Sequence, residues 1–184
     1  MLLDLIKAAI LGVVQGLTEF LPVSSTGHLI LAERAMGIDQ DRYGLSFDAA
    51  LHLGTLLALL AFFGRTWLRL GQGALRTVRQ RSLGDREGRL AWLIVLGTVP
   101  AAVLGLLFES AIEDAFRSPA LVASMLIAFS VVFVAAEAVS KRVRTTGDLT
   151  WIDALVVGVA QAVALVPGVS RSGATISAGL FRDM

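Results

Sequence analysis

The sequence predicts an all-α integral membrane protein, a single polytopic domain over residues 1–184, arranged as an inverted-repeat helical bundle with two re-entrant helix hairpins. Three observations carry this. The chain is 55% hydrophobic with a mean hydropathy of +0.74, far more apolar than a soluble domain of this size. Residues 90–108 and 119–136 contain no charge, and each run approaches the roughly 20 residues that cross a bilayer core. Finally, Gly12, Val13, Gln15, Ser24 and Gly27 recur 146 positions later as Gly158, Val159, Gln161, Ser170 and Gly173. Both copies surround a hydroxyl-rich break in an apolar stretch.

Taken in order, residues 2–22 read as an apolar helix that Pro22 ends or kinks. Ser24, Ser25 and Thr26 favour the start of a second helix, which runs to about residue 36 and is too short to cross alone. Residues 1–36 either cross once as a bent helix or return as a re-entrant hairpin broken at Pro22 to Gly27; the hairpin is the preferred expectation, since its second arm is short and polar backbone at membrane depth is tolerated where it lines a cavity. Residues 37–44 read as a loop, and 45–63 as a span carrying Asp48 and His52. These two are four apart on one face, expected no closer than the outer layer of a site. Residues 64–89 hold seven arginines and read as a basic loop that signals topology and suits anionic lipid headgroups. Residues 90–108 form a span with Pro100 inside it, 109–118 an acidic turn, and 119–139 a further span. Lys141, Arg142 and Arg144 mark a second basic loop, and residues 149–184 form the second re-entrant hairpin.

The two basic loops are separated by two spans, so they share a side, and the positive-inside rule assigns that side to the cytoplasm. The acidic turn and the 37–44 loop are then external. The hairpins enter from opposite sides and their broken tips meet near the midplane. The N-terminal apolar run does not read as a signal peptide, since it carries Asp4 and lacks a small-residue cleavage site. Absence of cysteine excludes disulfides, thiol nucleophiles and iron–sulfur sites. Two histidines without cysteine make a closed zinc site a poor reading. Nucleic-acid binding is not expected, because the arginines lie between membrane spans.

The chemistry gathers at the breaks. Gln15 and Glu19 share a helix face, and an ionisable group in a membrane segment is a functional signal by default. Ser24, Ser25, Thr26 and Gly27 stand where free N–H groups and a positive dipole end favour phosphate. His28, three residues after Ser25, suits proton transfer. Arg171, between Ser170 and Ser172 and ahead of Gly173, offers a planar bidentate donor for phosphate oxygens. The bland alternatives are N-capping for the hydroxyls, an interfacial position for His28, and snorkelling for Arg171. A transporter or flippase of a phosphorylated lipid is the competing class, because inverted repeats with broken helices also build transporters and Glu19 with His28 could relay protons.

Gln15-x-x-x-Glu19, Pro22-Val-Ser-Ser-Thr-Gly-His28 and Pro167-Gly-Val-Ser-Arg-Ser-Gly-Ala-Thr-Ile-Ser177 together resemble the undecaprenyl-diphosphate phosphatase family, also called bacitracin-resistance proteins. The resemblance covers the whole chain. It implies a multi-pass enzyme of the bacterial inner membrane, opening to the periplasm, which hydrolyses undecaprenyl diphosphate to undecaprenyl phosphate and phosphate. That recycles the lipid carrier for cell-wall synthesis and removes the target of bacitracin. Position by position, it implies that Glu19 is the essential carboxylate, Ser25 the nucleophile, His28 the motif histidine and Arg171 the phosphate-binding arginine. Ser24, Thr26, Gly27, Ser170, Ser172 and Gly173 join them in substrate binding. It also implies a divalent cation, Mg2+ or Ca2+, held by Glu19 and, more weakly, by the neutral amide of Gln15. The expected partners are the polyprenyl diphosphate lipid, membrane lipids and, with nothing in the sequence against it, a second copy in a homo-oligomer. Family members continue beyond the position of Met184, so the second repeat is expected to be C-terminally truncated.

Overall fold

The structure is a computed structural model that describes residues 2–38, 40–108 and 118–184. It is helical, with no strand among the described residues. The helices are α1 (Leu2–Thr18), α2 (Ser25–Ala35), α3 (Gln40–Phe62), α4 (Gly64–Gln80), α5 (Arg86–Leu107), α6 (Pro119–Val139), α7 (Trp151–Val163) and α8 (Arg171–Phe181). Of the expected acidic turn, residues 109–117 lie outside the described residues, as does Asp39 of the 37–44 loop.

Two of the described helices, Arg86–Leu107 and Ala120–Val139, are each long and apolar enough to cross a membrane. Their outer surfaces are what lipid requires: Leu106 is 81% exposed and Ile127 69%. Pro100 lies inside α5 and Pro119 at the start of α6. Proline is tolerated at a first turn because its missing N–H would be unpaired there anyway. Inside a membrane helix, neighbouring groups must re-satisfy what it frees.

Residues 64–80 correct the sequence reading. The first part of the basic loop is helix α4, which meets α3 at a bend of 76°. The cause is amphipathicity. Arg65, Arg69, Arg76 and Arg79 gather on one side of a 3.6-residue wheel, whereas Leu70, Gly73 and Thr77 are buried. Thr77 Oγ1 accepts from Trp92 Nε1 at 2.8 Å, tying α4 to α5. All seven arginines of the segment stay exposed.

Helices α5 and α7 approach most closely where both carry glycine. A Cβ on Gly158 would stand 2.5 Å from the Gly97 carbonyl oxygen, and one on Gly97 would stand 3.1 Å from that of Ala154. Small residues at such a crossing let backbones touch. Gly158→Ala is therefore expected to destabilise the fold by about 1–3 kcal/mol, measured as a lower midpoint of thermal unfolding in detergent.

The two repeated segments share a pattern. Each is a helix, a break and an 11-residue helix, with second helices at Ser25–Ala35 and Arg171–Phe181. Helix α1 packs on α2, and α7 on α8. Helix α6 is the support on which both breaks rest. A Cβ on Gly27 would lie 2.9 Å from Leu126 Cδ1. Gly168 turns with φ +91° directly against the Val122 carbonyl and 3.0 Å from Met125 Cβ. That left-handed conformation, with no room for a side chain, is open to glycine.

Candidate active site

Helix α1 ends at Thr18, before Pro22, and Glu19 follows in the break with its backbone N–H still donating to the Gln15 carbonyl at 2.9 Å. Glu19 Oε2 then collects its neighbours. Gln15 Nε2 donates to it at 2.9 Å and Ser25 Oγ at 2.5 Å, while His52 Nε2 stands 3.5 Å away. Gln15 is 1% exposed, so it holds the carboxylate from the buried side.

The second break closes the site from across. Ser172 Oγ donates to the Leu21 carbonyl at 2.7 Å, a direct bond between the two motifs. Ser170 Oγ lies 3.0 Å from Ser172 Oγ and accepts the Gly173 N–H at 3.1 Å. The result is a pocket of about 50 Å³, room for a few waters or one small oxyanion. Glu19, Ser24, Ser25, Thr26 and His52 line one side. Ser170, Arg171 and Ser172 line the other, with Ala164 and Val169 as its apolar portion. Arg171 is exposed at this pocket and forms no ion pair with the described residues.

Eight of the residues singled out from sequence thus meet, and Gln15, Gly27, His28 and Gly173 take other places. His28 is exposed and outside the pocket lining. Its Nδ1 faces the Ser24 carbonyl at 2.9 Å, so it braces the first turn of α2. Gly27 is buried against Leu126 of α6 and Gly173 against Ser170, so both glycines serve close packing. Gln15 stands behind Glu19, outside the lining. Proton transfer was expected of His28, whereas the imidazole beside Glu19 is that of His52, which the sequence reading put in an outer layer. Its Nδ1 lies 2.7 Å from the Asp48 carbonyl; a carbonyl only accepts, so Nδ1 carries a hydrogen and Nε2 is turned to the carboxylate. The i, i+4 spacing of Asp48 and His52 was the available signal, but spacing alone does not say which face of α3 meets α1.

The two helix starts differ in a way their sequences hide. Ser170 is a working N-cap. Ser24 occupies the same position before α2, but with φ 62° and ψ 96° its side chain caps nothing. Positive φ is strained for a non-glycine residue and clusters at functional sites. The first-turn N–H groups of α2 therefore keep their capacity for an anion.

The residues present do not compose a protein-only site for the expected divalent cation. No group of three His, Asp or Glu side chains converges among the described residues. Gln15 turns its amide nitrogen, not its oxygen, to Glu19, and Gln15 Oε1 is buried with no partner. A hard cation needs converging oxygens, and here one carboxylate supplies them.

The sequence model of one family, described as bacitracin resistance protein BacA, matches residues 8–184. The chain is 52% identical over 181 residues to a protein of Rubrobacter xylanophilus named undecaprenyl-diphosphatase, covering 98% of the chain and 66% of that relative. It is 47% identical over 176 residues to one of the same name from Mycolicibacterium smegmatis, covering 96% and 63%. A third, from Marinobacter nauticus, is 42% identical over 182 residues, covering 99% and 68%. The chain thus spans about two thirds of the length of these curated relatives.

Proposed function

We propose, for a chain that belongs to the bacitracin resistance protein BacA family, that it hydrolyses undecaprenyl diphosphate to undecaprenyl phosphate and inorganic phosphate. The observation that supports this best is the 2.5 Å bond from Ser25 Oγ to Glu19 Oε2, in a pocket that Arg171 enters from the second motif. A hydroxyl activated by a carboxylate and faced by a guanidinium is the equipment of phosphoryl transfer, which depends on positioning and charge neutralisation.

In this reading Arg171 and the uncapped N–H groups of α2 bind the terminal phosphoryl oxygens. Ser25 Oγ attacks the terminal phosphorus as its proton passes to Glu19. The bond from that phosphorus to the bridging oxygen breaks, and undecaprenyl phosphate leaves with the bridging oxygen. His52 Nε2 faces Glu19 and shares the proton with it, so the pair can return that proton to the leaving phosphate. Water then attacks the phosphoserine with Glu19 as base, releasing inorganic phosphate and restoring Ser25. No step is routed through a divalent cation, whose protein ligands the described residues do not complete.

The repeated helix–break–helix segments support the inverted repeat. Helices α2 and α8, 11 residues each, are about 17 Å long, too short to cross, and we place them as the return arms of re-entrant hairpins. The basic segments set the cytoplasmic side of a bacterial inner membrane, with the pocket opening to the periplasm and the polyprenyl tail in lipid. Recycling of the carrier for cell-wall synthesis and bacitracin resistance follow from that activity. The test is phosphate release by the purified chain from undecaprenyl diphosphate in detergent, with no membrane gradient. Folded protein that releases none would overturn the reading in favour of transport. Ser25→Ala is expected to slow release at least about a hundredfold; a near-normal rate would make water the direct nucleophile.

A further inference from the structure

A larger cavity, about 410 Å³, lies at the end of the molecule where the basic segments gather. Arg86 and Arg89, in the first turn of α5, form one wall, and Thr145, Thr146 and Gly147 form the other. Arg86 Nη2 donates to Thr146 Oγ1 at 3.0 Å, and Arg89 donates to the Leu149 carbonyl. A guanidinium has five N–H donors, so each arginine keeps most of its capacity. Neither forms an ion pair among the described residues. The nearby carboxylate of Asp148 is turned back on Thr145, accepting its N–H at 2.8 Å and its hydroxyl at 2.9 Å.

The floor of this cavity is apolar. Leu90 and Leu93 line it and also line a second cavity of about 230 Å³. That one follows α5 past Ile94, Gly97 and Thr98, between α5 and α7. From Arg86 to Thr98 the helix rises roughly 18 Å at 1.5 Å per residue. A two-arginine mouth thus opens into an apolar groove, along a helix long enough to cross the bilayer.

We propose that this is a binding site for an anionic phospholipid, its phosphate held by Arg86 and Arg89 and one acyl chain laid in the groove that runs along the α5–α7 seam. Charge complementarity selects the headgroup. Continuity with the groove selects a lipid over free phosphate, which would leave the apolar groove unfilled. The site shares no residue with the Glu19 pocket and stands whether or not that pocket hydrolyses diphosphates.

The test is native mass spectrometry of the purified chain in neutral detergent, titrated with dioleoyl phosphatidylglycerol, with phosphatidylcholine and inorganic phosphate as separate arms. One saturable phosphatidylglycerol is expected, retained at least about tenfold better than phosphatidylcholine and not displaced by equimolar inorganic phosphate. Arg86→Gln with Arg89→Gln should weaken it about tenfold or more. Thr98→Phe, which fills the groove and leaves the arginines in place, should weaken it too. Arg79→Gln with Arg81→Gln, exposed arginines outside both cavities, should leave it unchanged. Circular dichroism and the unfolding midpoint check that each variant is folded. The proposal is overturned by equal loss in the Arg79/Arg81 pair, by displacement with free phosphate, or by no retained lipid on folded wild type. The last is the outcome if another protein segment fills the groove.

Discussion

Glu19→Ala is expected to cut phosphate release from undecaprenyl diphosphate by three or more orders of magnitude, with the protein still folded. The magnitude follows from what is removed together. Oε2 is the acceptor for Ser25 Oγ at 2.5 Å and the anion facing His52 Nε2 at 3.5 Å. General-base catalysis alone contributes about 10²–10⁴-fold, and loss of the carboxylate also releases Ser25 from its aim. Glu19→Gln separates the two effects. It can still accept from Ser25 but cannot take its proton, so it should lose the general-base share, about 10²–10⁴-fold, while staying faster than alanine and binding substrate normally. Release by Glu19→Gln within tenfold of wild type would show that the carboxylate positions Ser25 and takes no proton. His52→Ala should be slower than His28→Ala in the same assay, because only His52 lines the pocket. The reverse order would return the proton-handling role to His28.

Asp153→Ala is expected to be the most destabilising single change, about 3 kcal/mol. Asp153 is 1% exposed. It accepts from Arg144 Nη2 at 2.6 Å and Arg182 Nε at 2.7 Å. It also accepts from the hydroxyl and N–H of Thr150, at 2.7 and 2.8 Å. These bonds hold the Arg144 guanidinium above its usual pKa, so it stays charged. Removing the carboxylate leaves two guanidiniums side by side and takes away the Asp153 half of the capping box of α7, leaving the Thr150 N–H without its acceptor. The cost sits at the low end for a broken buried pair because both arginines keep some access to solvent. The measurement is chemical or thermal unfolding in detergent. An unchanged midpoint would mean that the network is incidental and that packing of α7 on α5 alone orders this end.

The helical membrane class and the apolar segments were legible because lipid imposes long uncharged helices, and 90–108 and 119–136 cannot be read otherwise. The two breaks were legible because Pro22 and the Ser-Arg-Ser-Gly run carry the residues that start helices and bind anions. Helix α4 was missed since its arginines dominated the reading, although its buried positions follow a helical period. The network around Asp153 was also invisible: Arg144 and Arg182 lie 9 and 29 residues from it, and no helical or strand periodicity connects the three.

By itself, then, the sequence determined composition-driven properties: which segments prefer lipid, where helices break, and which residue types stand at the breaks. Those follow from local chemistry and spacing. Only the tertiary structure decided which groups touch. It brought His52 rather than His28 to Glu19, joined the motifs through Ser172 and Leu21, and set both breaks on α6 through Gly27 and Gly168. The reason is physical. Direction around a helix axis is set by what packs against that helix, and α2 and α8 both meet α6, a contact that local spacing does not encode.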